Sequence, residues 1–90
     1  MTSDASQRNR AYWRSRRGLL ELDLLLPPFV TARYGTLTSA QRQQFDALLE
    51  CDDQDIWDWL QRRRAPDDLR IREVIDLICA FNDGARGRTD

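Results

Sequence analysis

The stretch "DLRIREVIDLICAFN", Asp68 to Asn82, decides the fold class. Ile71, Val74, Ile75, Ile78 and Phe81 recur at i, i+3, i+4, i+7 and i+10. That spacing puts five apolar side chains on one stripe of an α-helix and leaves the charged residues on its other faces. A half-buried strand would need period-two alternation of β-branched residues, and no segment of the chain shows it. Upstream, "TSAQ" from Thr38 to Gln41 has the form of a capping box. Thr38 would cover an orphan N–H and Gln41 would reach back. Ala40, Phe45, Leu48 and Leu49 follow at helical spacing. A fourth helix begins after "CDDQD", with Asp53 expected as N-cap, and carries Ile56, Trp59 and Leu60 on one face. Trp57 points away from that face and is expected to be exposed.

The first half of the chain reads as two more helices. One is expected from about Gln7 to Arg17, with Tyr12 and Trp13 as its apolar contacts and Arg14, Arg16 and Arg17 complementing the macrodipole in its last turn. Gly18 suits the C′ position, where a left-handed conformation favours glycine. The next helix carries Leu19, Leu22, Leu25 and Leu26. It is expected to stop or kink before Pro27-Pro28, which removes two backbone donors. The resulting expectation is an all-α, compact bundle of about five short helices. Residues 7–83 would form its single domain, with polar tails at 1–6 and 84–90.

Composition narrows the function. The chain has 90 residues, 14 bases and 15 acids, and every base is arginine. A near-neutral balance argues against a general nucleic-acid binder, although Arg8, Arg10, Arg14, Arg16 and Arg17 beside Tyr12 and Trp13 mix bases with aromatics as single-strand binders do. Histidine is absent, which removes imidazole as general base, metal ligand or flavin acceptor. Cys51 and Cys79 form no CxxC and are expected to be reduced, partly buried hydrophobes. The run from Leu19 to Val30 is interrupted by Glu21, Asp23 and two prolines, too short and broken to insert in a bilayer. A cytoplasmic monomer is the expectation. The acids of Asp52, Asp53, Asp55 and Asp58 are accounted for by helix capping, and no phosphate loop or nucleophile motif is present.

"RRGLLELD", Arg16 to Asp23, joins the basic stretch to the leucine-rich one. A glycine cap followed by a first-turn acid is sufficient as helix punctuation. The same geometry exposes backbone at Gly18 and sets Arg17 and Glu21 on either side of it, within reach of one outside surface. That suits recognition of another protein through charge-assisted hydrogen bonds.

Taken with the downstream "LLECDDQDIWDWL" (Leu48 to Leu60), this stretch resembles the SdhE family of flavinylation factors of succinate dehydrogenase. The RGxxE motif falls on Arg17, Gly18 and Glu21, with Arg16 and Asp23 as flanking candidates, and the resemblance spans about Arg8 to Phe81. It implies a five-helix protein that is not itself an enzyme; with no dinucleotide fingerprint in the chain, no cofactor is expected to bind stably and any contact with FAD is expected to be weak or partner-dependent. Such a protein binds the flavoprotein subunit of succinate dehydrogenase, and in some bacteria that of fumarate reductase, and promotes covalent attachment of FAD there. Some relatives carry an antitoxin label, so a regulatory protein that binds a small toxin is the alternative. The doubled proline departs from the single one that the family pattern leads one to expect.

Overall fold

Apolar stripes at helical spacing build five α-helices, and among the described residues there is no strand. A computed structural model describes residues 4–87 of the chain. The helices are α1 (Asp4–Ser15), α2 (Leu20–Arg33), α3 (Ser39–Leu49), α4 (Asp53–Leu60) and α5 (Leu69–Gly87). A single 3₁₀ turn, Tyr34–Thr36, follows α2. The expected all-α bundle is therefore observed. The outer helices begin earlier and end later than the sequence suggested, since Asp4–Ser6 lie in α1 and Gly84–Gly87 in α5. The rest of the expected tails lies outside the described residues.

The core is assembled from one face of each long helix. Leu22, Leu26, Phe29 and Val30 of α2 meet Phe45, Leu48 and Leu49 of α3, Ile56 and Leu60 of α4, and Ile71, Val74, Ile75 and Ile78 of α5. Phe29 stands at the centre, its ring 5.8 Å from that of Phe45 and 5.7 Å edge-on to that of Phe81. The α5 stripe is buried as its spacing requires, with Phe81 half-buried against the cluster. Thr38 caps α3 in both directions: its hydroxyl accepts from the Gln41 amide at 3.1 Å, and its own amide donates to the Gln41 side chain at 2.8 Å.

Several local expectations are corrected. Helix α2 does not stop at Pro27-Pro28 but runs through both to Arg33. Two prolines remove the amides that the carbonyls of Asp23 and Leu24 would accept from, at about 3 kcal/mol for a mid-helix proline. Leu22, Leu26, Pro27, Phe29 and Val30 are all buried on this helix, and apolar burial at about 1.5–3 kcal/mol per large side chain outweighs that loss. Helix α1 ends at Ser15 rather than Arg17, so only Arg14 lies in its last turn and Gly18 stands beyond the C′ position. Its core contact is Ala11; Tyr12 is half-buried, and Trp13 is exposed. Ala40 is exposed on α3. The N-cap of α4 is Asp52, which leaves Asp53 as the first helical residue.

A further correction concerns α4. Trp57 and Trp59 are both half-buried against the core, so neither is the fully buried or the fully exposed residue that the helical wheel suggested. The Arg62-Arg63-Arg64 run lies past the helix. Arg62 takes φ 61° and forms a glycine-type C-cap turn, in which its amide donates to the Trp59 carbonyl and that of Arg63 to the Asp58 carbonyl. The guanidinium of Arg62 then reaches Asp76 of α5 at 2.8 Å, and Arg64 reaches Asp55 at 2.6 Å.

Pro28 is exposed, so its ring contributes little to the core while its missing donor weakens α2. Replacing Pro28 by Ala is expected to raise stability by about 1 kcal/mol or more, which for a domain of this size lifts the thermal midpoint by about 4–8 °C per kcal/mol. Thermal unfolding followed by circular dichroism measures this, and an unchanged or lowered midpoint would show that the proline is accommodated without loss.

Candidate functional site

The turn between α1 and α2 is held from inside by two side chains of the RGxxE segment and its flank. The Arg17 amide donates to the Asp23 carboxylate at 2.7 Å, closing the four-residue connection back onto the first turn of α2. Arg16 stands 4.0 Å from the other carboxylate oxygen, and Asp23 is mostly shielded from solvent. Ser15, fully buried, donates its hydroxyl to the Tyr12 carbonyl at 2.6 Å and so closes the end of α1.

Arg17 itself turns inward, with a side chain only 16% exposed. Its Nε donates to Asp53 at 2.7 Å, Nη1 to the Leu49 carbonyl at 2.7 Å, and Nη2 to the Cys51 carbonyl at 2.9 Å. A weaker bond of 3.5 Å runs from Nη1 to the Arg14 carbonyl. The carbonyls at the end of α3 have no amide to accept from within the helix and carry the negative end of its dipole, which is what a guanidinium fork satisfies. Arg17 thus ties the ends of α1 and α3 and the start of α4 to one point.

Gly18 and Glu21 face the other way. Gly18 has φ 80°, and a Cβ built on it meets nothing within 4 Å, so the residue is required for its backbone conformation and opens onto solvent. Glu21, in the first turn of α2, is exposed and makes no hydrogen bond or ion pair with any described residue. The structure therefore separates what the sequence put together. Arg16, Arg17 and Asp23 converge on the turn, while Glu21 looks toward a groove between α2, α4 and α5, so Arg17 and Glu21 do not share one outside surface.

That groove contains what the sequence reading missed. Leu24 and Leu25 of α2, Trp57 and Leu60 of α4, and Asp83 of α5 line a cleft of about 360 Å³. Leu20 and Leu24 are 70% and 64% exposed. The signal was present in "LLELDLLL", where leucines recur on more faces than one helix can bury against a small core.

Burial pushes the pKa of the Cys51 thiol above its ordinary value, with nearby Asp55 adding to the effect, and burial does the same to Cys79. Among the described residues no group of three or more His, Cys, Asp or Glu side chains is placed to hold a metal ion. No helix is long and apolar enough to cross a membrane among them either.

Five short helices around one core, with an arginine-anchored turn presenting a glycine and an unpaired acid, define the class: a small all-α module whose conspicuous features lie on its surface. The chain belongs to the Sdh5 family, whose model, described as flavinator of succinate dehydrogenase, matches residues 9–82. It is 43% identical over 76 residues to the FAD assembly factor SdhE of Pseudomonas aeruginosa, which covers 84% of this chain and 90% of that protein. It is likewise 43% identical over 70 residues to the FAD assembly factor SdhE of Pseudomonas savastanoi, covering 78% of this chain and 83% of the relative. With that of Yersinia pseudotuberculosis the identity is 40% over 78 residues, covering 87% of this chain and 88% of the relative. The resemblance drawn from the two motifs is thereby shown.

The division within the motif has a measurable consequence. Arg17→Ala leaves two helix-end carbonyls and Asp53 without their partner and is expected to lower unfolding stability by about 2–4 kcal/mol. Arg17→Lys will not restore it, because an ammonium cannot reproduce the fork. Glu21→Ala should change stability by less than about 0.5 kcal/mol. Urea denaturation of the three variants tests the assignment, and equal losses at Arg17 and Glu21 would refute it. The raised thiols give a second check: at pH 8 both cysteines should alkylate with iodoacetamide more slowly than a free thiol of ordinary pKa.

Proposed function

We propose that this protein binds the flavoprotein subunit of succinate dehydrogenase and promotes covalent attachment of FAD to that subunit without catalysing the bond itself. The observation that carries the reading is the pairing of family membership with an intact RGxxE turn, in which Gly18 and Glu21 are presented outward on a base fixed by Arg17. The chain contains no histidine, so a histidine that accepts the flavin belongs to the partner. Arg16 and Asp23 brace the turn, and Gly18 and Glu21 meet the partner. The flavoprotein of fumarate reductase is a second client of the same surface. The protein acts as a cytoplasmic monomer, takes up no FAD of its own and binds no nucleic acid.

Attachment of a flavin requires the accepting side chain and the isoalloxazine ring to be held in reactive geometry, and positioning of that kind is worth several kcal/mol of barrier. A small rigid partner that binds the aligned arrangement more tightly than the others raises its population by the ratio of the two affinities. Firm bracing at the contact then matters more than its area, and the turn is braced by the hydrogen bonds of Arg17.

Cells lacking this chain are expected to show reduced covalent flavin fluorescence on the denatured flavoprotein subunit, restored by the wild-type chain and not by Glu21→Ala. Gly18→Arg should also fail, with some loss of stability, because φ 80° strains any side-chain-bearing residue by about 1–2 kcal/mol. Unchanged flavin loading in the deletion strain would defeat the proposal. Release of growth arrest by a neighbouring toxin in that strain would favour the antitoxin alternative, to which the names of the relatives lend no support.

A further inference from the structure

The groove beside Glu21 has a chemistry of its own. Leu24, Leu25, Trp57 and Leu60 line it beside the polar Gln61 and Asn82, and its charged residues are both acids, Glu21 of α2 and Asp83 of α5. Neither acid is hydrogen-bonded or ion-paired to a described residue. Asp52 and Asp67 share that lack, whereas Asp23, Asp53, Asp55, Asp58, Asp68 and Asp76 are paired. Arg62 lies within electrostatic reach of Asp83, but its guanidinium is bound to Asp76 at 2.8 Å. Leu24 is 64% exposed at the mouth, and the aromatic Trp57 is of the residue type that anchors interface centres.

We infer that this groove receives a basic, apolar segment of the flavoprotein, with aliphatic side chains seated on Leu24 and Trp57 and an arginine or lysine against Glu21 and Asp83. The inference rests on the function proposed above and adds to it the chemical character of the partner and a contact residue, Asp83, that lies outside the RGxxE motif. Charge complementarity selects the occupant. An acidic segment would meet two unpaired carboxylates of like sign, and a purely apolar one would leave them desolvated without a partner. Glu21 thereby acts as one end of a two-acid clamp rather than as an isolated recognition residue.

The test uses the full chain and the apo-flavoprotein subunit of succinate dehydrogenase. Asp83→Arg and Leu24→Asp are surface changes that should leave helicity intact, and each is expected to weaken binding at least about tenfold, with the wild-type affinity falling as salt rises. A photo-cross-linking residue at position 24 should capture a flavoprotein peptide carrying arginine or lysine among apolar residues. Wild-type binding that both substitutions leave unchanged would overturn the groove assignment while sparing the proposed function. Capture of an acidic peptide, or of a second copy of this chain, would overturn it in the same way. Failure of the wild-type chain to bind the flavoprotein at all would defeat both.

Discussion

The guanidinium of Arg17 is buried where four chain segments meet, and the geometry of the turn depends on it. Two of its acceptors are backbone carbonyls, one at the end of α3 and one just beyond it, groups that carry partial negative charge and have no amide of their own to accept from. A third is the Asp53 carboxylate at the start of α4, where an acid also suits the helix dipole. These bonds span 32 to 36 residues of sequence, so they can form only in the folded bundle. The two segments on which the resemblance was drawn, "RRGLLELD" and "LLECDDQDIWDWL", are in this way one structure. The second supplies the acceptors that hold the first.

Within that arrangement, the residues of one short motif face different ways. Arg17 and Asp23 face inward and fix the turn, and Gly18 and Glu21 face outward and remain free to meet another molecule. A surface offered by a turn braced in this way has little conformational freedom left to lose on meeting another molecule. The rest of the surface is stitched by exposed arginine–carboxylate pairs such as Arg14–Glu50, Arg62–Asp76 and Arg64–Asp55. Pairs like these contribute about 0–1 kcal/mol each, so the fold stands on its apolar core.

The places where sequence reasoning went wrong share a cause. Proline's local preference ended α2 too early because burial of Phe29 and Val30 beyond the prolines is a tertiary effect that local rules do not contain. Trp57 was placed outside because a helical wheel assumes one buried face, whereas α4 is wedged between α2 and α5 and has two of its sides covered. Asp53 was assigned to capping because its true partner, Arg17, lies 36 residues away.

What the sequence determined by itself is everything carried by short-range regularity. The helices follow from spacing, the start of α3 from Thr38 and Gln41, and the absence of an imidazole from composition alone. Side-chain direction at a turn is different, because it depends on which long-range acceptor is in reach. Only the tertiary structure decided that Arg17 points in, that Glu21 points out, and that Asp83 joins it across a groove. Burial and hydrogen bonding between distant segments set those directions, and neither is written in any local stretch of residues.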